Sequence, residues 1–255
     1  MLCKVMSESF SNRILPDTWR NAVIIPIYKK GDKHLAENYR PISLTAIPCK
    51  CMEKIIAADI TDFFMTQHKA QLHNQHGFLQ GRSVTTNLLA NLELWTQALD
   101  NHYPIDVIYV DFEKAFDTVP IERLLYKLEH FGIRGQLLKW IRAYLSDRSF
   151  QVRISGVLSN KYQAVSGVPQ GSVLGPLLFI IYVSDLADNM SCRTSMYADD
   201  TKIFGDPSIQ HGDLIEDLVL ETGLKCCFVS MSPSVQYFMW GITTLGSIIT
   251  LRTVS

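Results

Sequence analysis

A short segment of β-forming residues, SMYADDTKIF, is interrupted by two adjacent carboxylates, Asp199 and Asp200. Aromatic and β-branched residues on both sides favour strands, and a polar break between two such strands is typical of a tight hairpin turn. Adjacent like charges repel, so they are tolerated in a solvated turn or are needed where a cation binds. The segment therefore predicts a β-hairpin with two acids at its tip, and both interpretations of the acids stay open.

A third acid, Asp111, follows the short apolar segment DVIYV. This segment is rich in β-branched and aromatic residues and is bounded by turns, which predicts a buried strand with acidic ends. Three carboxylates gathered at one edge of a sheet could bind two hard divalent cations through their oxygen atoms. Acid-rich surface turns are common, however, so the pattern alone does not decide between a metal site and a solvated turn.

Helical and strand patterns alternate through most of the chain. Apolar residues recur at three- and four-residue spacing in some segments, and Pro and Gly bracket another, which predicts helices. The predicted helices cover residues 49–67, 85–101, 120–132 and 135–147 and a segment that starts near Pro176. Further strands are predicted at residues 21–28, 149–156 and 160–167. Helices on one face of a mostly antiparallel sheet make α+β the predicted fold class.

Composition limits the classes of function. Of the 255 residues, 47% are hydrophobic, so the chain can bury a sizeable core. Its longest apolar run, Leu177 to Val183, is far shorter than a membrane-spanning helix, which needs about 18 residues. The N-terminus has no basic and apolar signal segment, so we expect the protein in the nucleus or cytoplasm and not secreted. The six cysteines form no CxxC pair, which favours reduced, mostly buried thiols over disulfides or zinc. A net charge of −1 means that any nucleic-acid binding needs a local basic patch.

Five motifs occur in one order between residues 20 and 204: NYRPISL, GFLQGRS, VDFEKAFD, GVPQGSVLGPLLF and YADD. One YxDD tetrapeptide is weak evidence, but the five together resemble the reverse transcriptases of non-LTR, LINE-type retrotransposons. The resemblance implies the fingers and palm of a right-hand polymerase over residues 21–204. It also implies an N-terminal extension over residues 1–20 and an abbreviated end of the palm, without a thumb, over residues 205–255.

The implied activity is RNA-directed DNA polymerisation, in which deoxynucleoside triphosphates are added to a primer 3′-hydroxyl on a template of RNA or DNA. The resemblance further implies two Mg²⁺ ions, with Mn²⁺ as a substitute. Asp111, Asp199 and Asp200 match the metal-binding aspartates, and the backbone carbonyl of Phe112 would lie beside the metals. Phe116 matches the aromatic residue beneath the incoming sugar, where its ring would exclude a 2′-hydroxyl.

Other motif residues match the family's nucleotide and template contacts. Lys30 and Arg40 match residues that reach the triphosphate, for which a guanidinium fork is suited. Gln170 and Gly171 match the loop that packs on the nucleotide and template, and Arg82 would contact the template backbone. Three histidines have no metal-site spacing and are expected to be surface residues: His68, His73 and His76.

Two rival hypotheses accompany this interpretation. One is a truncated, inactive copy that keeps the fold over about residues 15–204 and binds nucleic acid weakly, since the segment around Lys225 is short and no thumb or upstream endonuclease is expected. A further strand pair is expected within residues 237–248. The other rival is an RNA-dependent RNA polymerase, which shares the palm, although Phe116 argues against it because ribonucleotide-using enzymes usually carry a smaller or hydrogen-bonding residue there.

Overall fold

The computed structural model describes residues 1–102, 105–110, 112, 114–186, 192–205 and 236–240. Its helices are α1 (Leu2–Asn12), α2 (Asp17–Arg20), α3 (Ile47–Gln67), α4 (Val84–Asp100), α5 (Ala115–Thr118), α6 (Ile121–His130), α7 (Gly135–Leu145) and α8 (Leu174–Tyr182). Its strands are β1 (Asn21–Tyr28), β2 (Tyr39–Leu44), β3 (Ile105–Val110), β4 (Arg148–Ile154), β5 (Val157–Leu158), β6 (Tyr162–Ala164), β7 (Arg193–Tyr197), β8 (Asp200–Phe204) and β9 (Gln236–Trp240). The chain divides into two compact units, Met1–His68 with Val119–Tyr182 and Lys69–Thr118 with Val183–Ser255.

The first unit contains a mixed sheet. Its strands run in the order β2-β1-β4-β5, and β6 also pairs with β4. β1 is antiparallel to β2 and parallel to β4. The apolar, β-branched composition of residues 21–28 predicted β1, and the two segments predicted as strands at 149–156 and 160–167 are confirmed as β4 and β6.

A buried helix, α8, and one face of α3 form the centre of the first unit. All residues of α8 except Pro176 are buried, as expected for a helix that is apolar on every side. α3 packs against α8, and every fourth residue of one α3 stripe is buried: Met52, Ile56, Ile60 and Phe64. Each such side chain stabilises the fold by about 1.5–3 kcal/mol. The predicted helices at 49–67 and near Pro176 are therefore confirmed, although Ile55, an apolar residue of α3, is exposed.

Residues 1–20, expected as an extension, pack within the first unit. α1 packs against α7, and the indole N–H of Trp140 donates a 3.2 Å hydrogen bond to Ser9 Oγ. Leu15 and Trp19 are buried. These contacts were not predicted from the sequence.

The second unit contains an antiparallel sheet with the strand order β7-β8-β3-β9. It matches the mostly antiparallel sheet that the sequence predicted. β9 lies where a strand pair was expected to begin; the rest of that segment lies outside the described residues. α4 packs against β3 and β7, and Trp95 of α4 meets Phe204 edge-to-face at 5.9 Å between ring centroids.

The first half of α4 buries polar residues. Ser83 caps the helix through a reciprocal pair of hydrogen bonds with Thr86. The residues that α4 buries are Asn87, Asn91 and Ala98. The helix itself is confirmed. Of its apolar residues, Leu88, Leu89 and Leu92 are exposed, whereas Leu94 and Trp95 pack against the buried cluster that contains Ala98 and Phe204. The first half of α4 therefore packs through polar residues and the second half through apolar ones.

Two whole-chain expectations can be compared with the described residues. Within the described ranges, no helix is long and apolar enough to cross a membrane. The described cysteines are free thiols, as predicted, but only Cys49 is buried; Cys51 and Cys192 are half-buried and Cys3 is exposed. The prediction of mostly buried thiols is therefore wrong for the described part of the chain. Cys226 and Cys227 lie outside it.

Candidate functional site

The predicted acidic hairpin is present. Tyr197 of β7 pairs with Asp200 of β8, so Ala198 and Asp199 form a two-residue turn. Ala198 has φ +58°, a left-handed conformation that costs a residue with a Cβ roughly 1–2 kcal/mol. Asp199 is half-buried and Asp200 is exposed. The turn therefore holds two carboxylates at the end of the sheet in a conformation that needs support from its surroundings.

The neighbouring strand ends at the same edge of the sheet. Val110, the last residue of β3, pairs with Thr201, the residue that follows Asp200. Asp111 is next in the sequence after Val110 and lies outside the described residues, so the third predicted acid has no observed position. Carboxylate oxygens are the ligands that hard divalent cations prefer, so the two described acids fit such an ion. Among the described residues there is no group of three or more His, Cys, Asp or Glu side chains that could hold a metal.

A lysine lies close to the acidic tip. Lys202 is half-buried, and its ammonium donates a 2.9 Å hydrogen bond to Oδ1 of Asn87 on α4. Burial lowers the pKa of Lys202, and the negative charge of Asp200 acts in the opposite direction. Asn87 also donates to Ser195 Oγ at 2.7 Å. Asn87 of α4 thus positions a cation near Asp200.

A segment before Gly77 contacts the turn directly. The amide oxygen of Gln75 accepts hydrogen bonds from the backbone N–H of Ala198 at 2.8 Å and of Gly77 at 2.7 Å. The Gln75 side-chain amide donates to the Ala198 carbonyl at 3.3 Å. Gln75 is 1% exposed. The sequence analysis did not single out Gln75, although its position two residues before Gly77, the first residue of the GFLQGRS motif, was an available signal.

Arg82 lies in the same segment and supports it. One guanidinium nitrogen, Nη1, donates to the backbone carbonyls of Leu72 and His73 at 2.7 Å each and to that of Gln75. Burial lowers the pKa of Arg82. The described contacts of Arg82 are thus within the protein, and its predicted contact with a template backbone stays a prediction.

Phe116 lies on the short helix α5 beside a second aromatic residue. Its ring and that of Phe78 meet edge-to-face, with centroids 6.4 Å apart. Phe78 is 59% exposed and has φ +57°, so an apolar ring is presented to solvent on strained backbone. The Phe112 side chain is 5% exposed. Phe78 was not predicted from the sequence, and it extends the aromatic surface around Phe116.

In the first unit, the predicted phosphate-binding residues lie at one end of the β1–β2 hairpin. Arg40 pairs with Ile27 in the strand register, and Lys30 lies in the connecting loop. Both side chains are exposed. The loop is closed by a 2.8 Å hydrogen bond from the Lys29 N–H to the Asn38 carbonyl. The two cations are therefore carried by one hairpin and are accessible to an anionic ligand.

The predicted loop at Gln170 and Gly171 packs on β2. The Gln170 carbonyl accepts a 2.8 Å hydrogen bond from the N–H of Ser43, a residue of the strand that carries Arg40. Gly171 has φ +97°, and a Cβ there would lie 2.9 Å from the Ser43 carbonyl oxygen. A side chain at position 171 would therefore be strained and would clash with backbone, which explains why this position is glycine.

Glu53 fixes the helix that follows this loop. It is fully buried on α3, and its Oε2 accepts hydrogen bonds from the N–H groups of Val173 at 2.7 Å and Leu174 at 3.0 Å. A carboxylate is favourable there because the first N–H groups of a helix lack partners within it. Burial, assisted by the charge of Glu53 and a hydrogen bond to it, raises the pKa of Cys49 to about 12. Sequence periodicity treated this position as one helix residue among others.

The histidines correct one expectation. His76 Nδ1 lies 2.9 Å from Thr86 Oγ1, and His68 Nε2 lies 2.8 Å from the Phe131 carbonyl oxygen. Both are half-buried, so describing them as surface residues was wrong, whereas His73 is exposed as predicted. Burial lowers the pKa of His76, and the charges of Arg82 and Lys202 lower it further.

Comparison with known proteins gives consistent matches. Residues 27–235 match the family model for reverse transcriptase (RNA-dependent DNA polymerase). The chain is 32% identical over 203 residues to a probable RNA-directed DNA polymerase from transposon BS of Drosophila melanogaster, covering 74% of this chain and 22% of that protein. It is 31% identical over 203 residues to the RNA-directed DNA polymerase from the mobile element jockey of the same species, covering 74% of this chain and 21% of that protein. The chain therefore spans about a fifth of the length of these relatives.

A solved structure shares the fold. The apo telomerase of Candida tropicalis, truncated from its C-terminal domain, matches 91% of this chain and 52% of its own with a TM-score of 0.66. The sequence identity is 10%, so this match concerns the fold alone. It supports the predicted α+β, right-hand polymerase class.

Proposed function

Because this chain belongs to the reverse transcriptase (RNA-dependent DNA polymerase) family, we propose that it is the fingers and palm of an RNA-directed DNA polymerase from a LINE-type retrotransposon. The proposed reaction transfers a deoxynucleotide from its triphosphate to a primer 3′-hydroxyl, with pyrophosphate released, on a template of RNA or DNA. We assign the fingers and palm to residues 21–204 and the end of the palm to residues 205–255. The metal-ligand and substrate roles below are part of the same proposal.

One observation carries the proposal for catalysis. Tyr197 pairs with Asp200, and Val110 pairs with Thr201, so the turn that holds Asp199 and the end of β3 lie at one edge of one sheet. In the sequence, Asp111 follows directly on Val110. This register supports a site in which carboxylates from two chain segments act together.

Asp111, Asp199 and Asp200 are the proposed ligands of two Mg²⁺ ions, for which Mn²⁺ could substitute, and the Phe112 carbonyl would contribute a further oxygen. Bound divalent ions would activate the primer hydroxyl and neutralise charge on the departing pyrophosphate. The chain's own part is to hold the carboxylates together and to balance their repulsion with a neighbouring cation. Lys202, half-buried and bonded to Asn87, supplies that charge.

Phe116 is the proposed selector of the sugar. An aromatic ring beneath the ribose leaves no room for a 2′-hydroxyl, and the edge-to-face contact with Phe78 fixes the orientation of the ring. A fixed ring discriminates better than a mobile one, because a clash can be relieved by rotation only if the ring is free to move. The deoxynucleotide preference would therefore depend on both aromatic residues.

Phosphate and template contacts complete the proposal. Lys30 and Arg40, exposed at one end of the β1–β2 hairpin, would bind the triphosphate, and a guanidinium can do so through two parallel hydrogen bonds. Gln170 and Gly171 would pack on the nucleotide and template, a role for which the close approach of Gly171 to β2 provides rigid support. Arg82 is the proposed template-backbone contact.

The test is primer extension by the full chain on an RNA template with Mg²⁺ and deoxynucleoside triphosphates. We expect extension that depends on template, primer and divalent ion, and that is absent in an Asp199→Asn variant with an unchanged melting temperature. A chain that folds and binds primer–template but never extends it, even with Mn²⁺, would refute the catalytic proposal and favour an inactive copy.

A further inference from the structure

We propose that Gln75 and Gly77, which we name the hairpin clamp, are positioning residues that set the place of the Asp199 carboxylate for metal binding. The inference rests on the proposed function, since it concerns the same acidic turn. It adds two residues that neither touch substrate nor bind metal, and that act through the backbone of Ala198.

The Gln75 side-chain amide forms hydrogen bonds with both polar backbone groups of Ala198, the N–H and the carbonyl. Its oxygen accepts from the Ala198 N–H at 2.8 Å, and its nitrogen donates to the Ala198 carbonyl at 3.3 Å. Both peptide planes that flank Ala198 are thereby held, and the second of them leads into Asp199. An apolar side chain of the same size could fill the space but could not fix these planes, because only hydrogen bonds are directional.

Gly77 controls the distance between the clamp and the turn. A Cβ at this position would lie 2.4 Å from the Ala198 nitrogen and 3.0 Å from its Cα. The Gly77 N–H also donates to the Gln75 amide oxygen at 2.7 Å, which fixes the amide orientation. Any larger residue would have to displace the turn or the clamp, so the close approach requires glycine.

Supports on both sides make the clamp rigid. Residues 75 and 196 form a parallel bridge, in which the His76 N–H donates to the Met196 carbonyl and the Met196 N–H donates to the Asn74 carbonyl, each at 2.8 Å. On the other side, Arg82 binds the carbonyls of residues 72, 73 and 75. The strained φ of +58° at Ala198 is thus imposed by a fixed partner, which is the arrangement expected where geometry serves a site.

The test compares Gln75→Met with Asn74→Ala in the full chain. Met has a similar length but accepts no hydrogen bond from the turn, whereas Asn74→Ala removes a 2.9 Å hydrogen bond from the same segment to Thr194 Oγ1, away from the turn. Two readouts are used. Tb³⁺ luminescence excited through tyrosine measures ion binding without catalysis, with Asp199→Asn as the baseline, and primer extension gives the Mg²⁺ concentration for half-maximal rate and the KM for the nucleotide.

We expect Gln75→Met to weaken Tb³⁺ binding and to raise the Mg²⁺ requirement by about tenfold or more, the usual effect of losing a group that orients a metal ligand. The nucleotide KM should change little, and Asn74→Ala should match the parent in both readouts. Gly77→Ala should reproduce the defect by displacing the turn. Should Gln75→Met not fold, Gly77→Ala is judged alone by the same criteria.

Three contrary results would have different meanings. If the parent chain binds Tb³⁺ no better than Asp199→Asn, the proposed metal site fails and the clamp fails with it. If the parent binds Tb³⁺ and the folded Gln75→Met and Gly77→Ala variants match it in ion affinity and Mg²⁺ requirement, the clamp is refuted while the proposed function stands. Equal defects in Gln75→Met and Asn74→Ala would also refute it, because they would indicate a general loosening of the segment.

Discussion

Replacing Glu53 by Ala should destabilise the first unit by several kcal/mol. The carboxylate is fully buried and accepts two backbone hydrogen bonds at the start of α8, at 2.7 and 3.0 Å. Without it, two buried N–H groups lose their partner, at a cost of about 1–3 kcal/mol each. The two together cost about 2–6 kcal/mol, and the desolvation cost of the carboxylate is recovered in part, so we expect a net loss of about 2–4 kcal/mol. That is a large part of the roughly 5–15 kcal/mol that stabilises a typical domain.

Two variants make this magnitude testable. Glu53→Gln keeps one oxygen that can accept both hydrogen bonds but loses the charge, so it should cost less than Glu53→Ala. Glu122→Ala is the matched control in the same unit, because Glu122 forms an exposed ion pair with Arg142 at 2.5 Å, and exposed pairs contribute at most about 1 kcal/mol.

The assay is urea unfolding followed by circular dichroism and by tryptophan fluorescence, to which Trp140, stacked on Tyr144 in this unit, contributes. The expected order of stability is parent and Glu122→Ala, then Glu53→Gln, then Glu53→Ala. A Glu53→Ala variant within about 1 kcal/mol of the control would refute the reasoning. It would mean that the N–H groups of Val173 and Leu174 find other partners at little cost.

Three further predictions concern the second unit. Asp111→Asn and Asp199→Asn should each abolish primer extension without lowering the melting temperature, because each removes an anionic ligand and relieves like-charge repulsion; extension at the parental rate would contradict this. Phe116→Val should increase incorporation of ribonucleotides relative to deoxynucleotides in competition assays, and an unchanged ratio would assign the ring to packing alone. The folded chain should lose stability as the pH falls below about 6.5, because the pKa of His76 is lowered on folding and the unfolded chain binds the proton first. His76→Gln should reduce that slope in urea unfolding at pH 7.5 and 5.5, and an unaltered slope would exclude His76 as its source.

The motif residues were predictable because their chemistry is local. Two acids between β-forming segments indicate a hairpin tip, and the hairpin is present with the pairing of Tyr197 and Asp200 that a two-residue turn requires. Gly171 was predicted to pack on nucleotide and template, which stays a prediction; its φ of +97° and the nearby Ser43 carbonyl give a reason within the fold for a glycine at this position. The position of Asp111 stays a prediction, since it lies outside the described residues.

The supporting residues were not predictable because their partners are distant in sequence. In the sequence, residue type does not distinguish Gln75 from its polar neighbours, and its role is visible only because Ala198 binds it in the fold. Glu53 is likewise one charged residue of a predicted helix, and its role depends on Val173 and Leu174. The first half of α4 was unpredictable for the same reason, because it buries Asn87 and Asn91 while Leu88, Leu89 and Leu92 are exposed. A buried polar residue is identified by what it binds, and periodicity carries no information about that.

Gln75 and Glu53 perform similar work with different expected consequences. Each satisfies two buried backbone N–H groups in a loop or turn that carries motif residues. Glu53 binds the start of a helix whose residues are almost all buried. Because that helix packs at the centre of the first unit, we expect the loss of Glu53 to lower the free energy of unfolding. Gln75 holds the turn that carries Asp199, and its loss would leave the buried N–H groups of Ala198 and Gly77 without a partner, so stability should fall as well. Its loss should in addition alter the geometry of the acids, which is why ion affinity, and not the melting temperature alone, is the measurement that distinguishes the two residues.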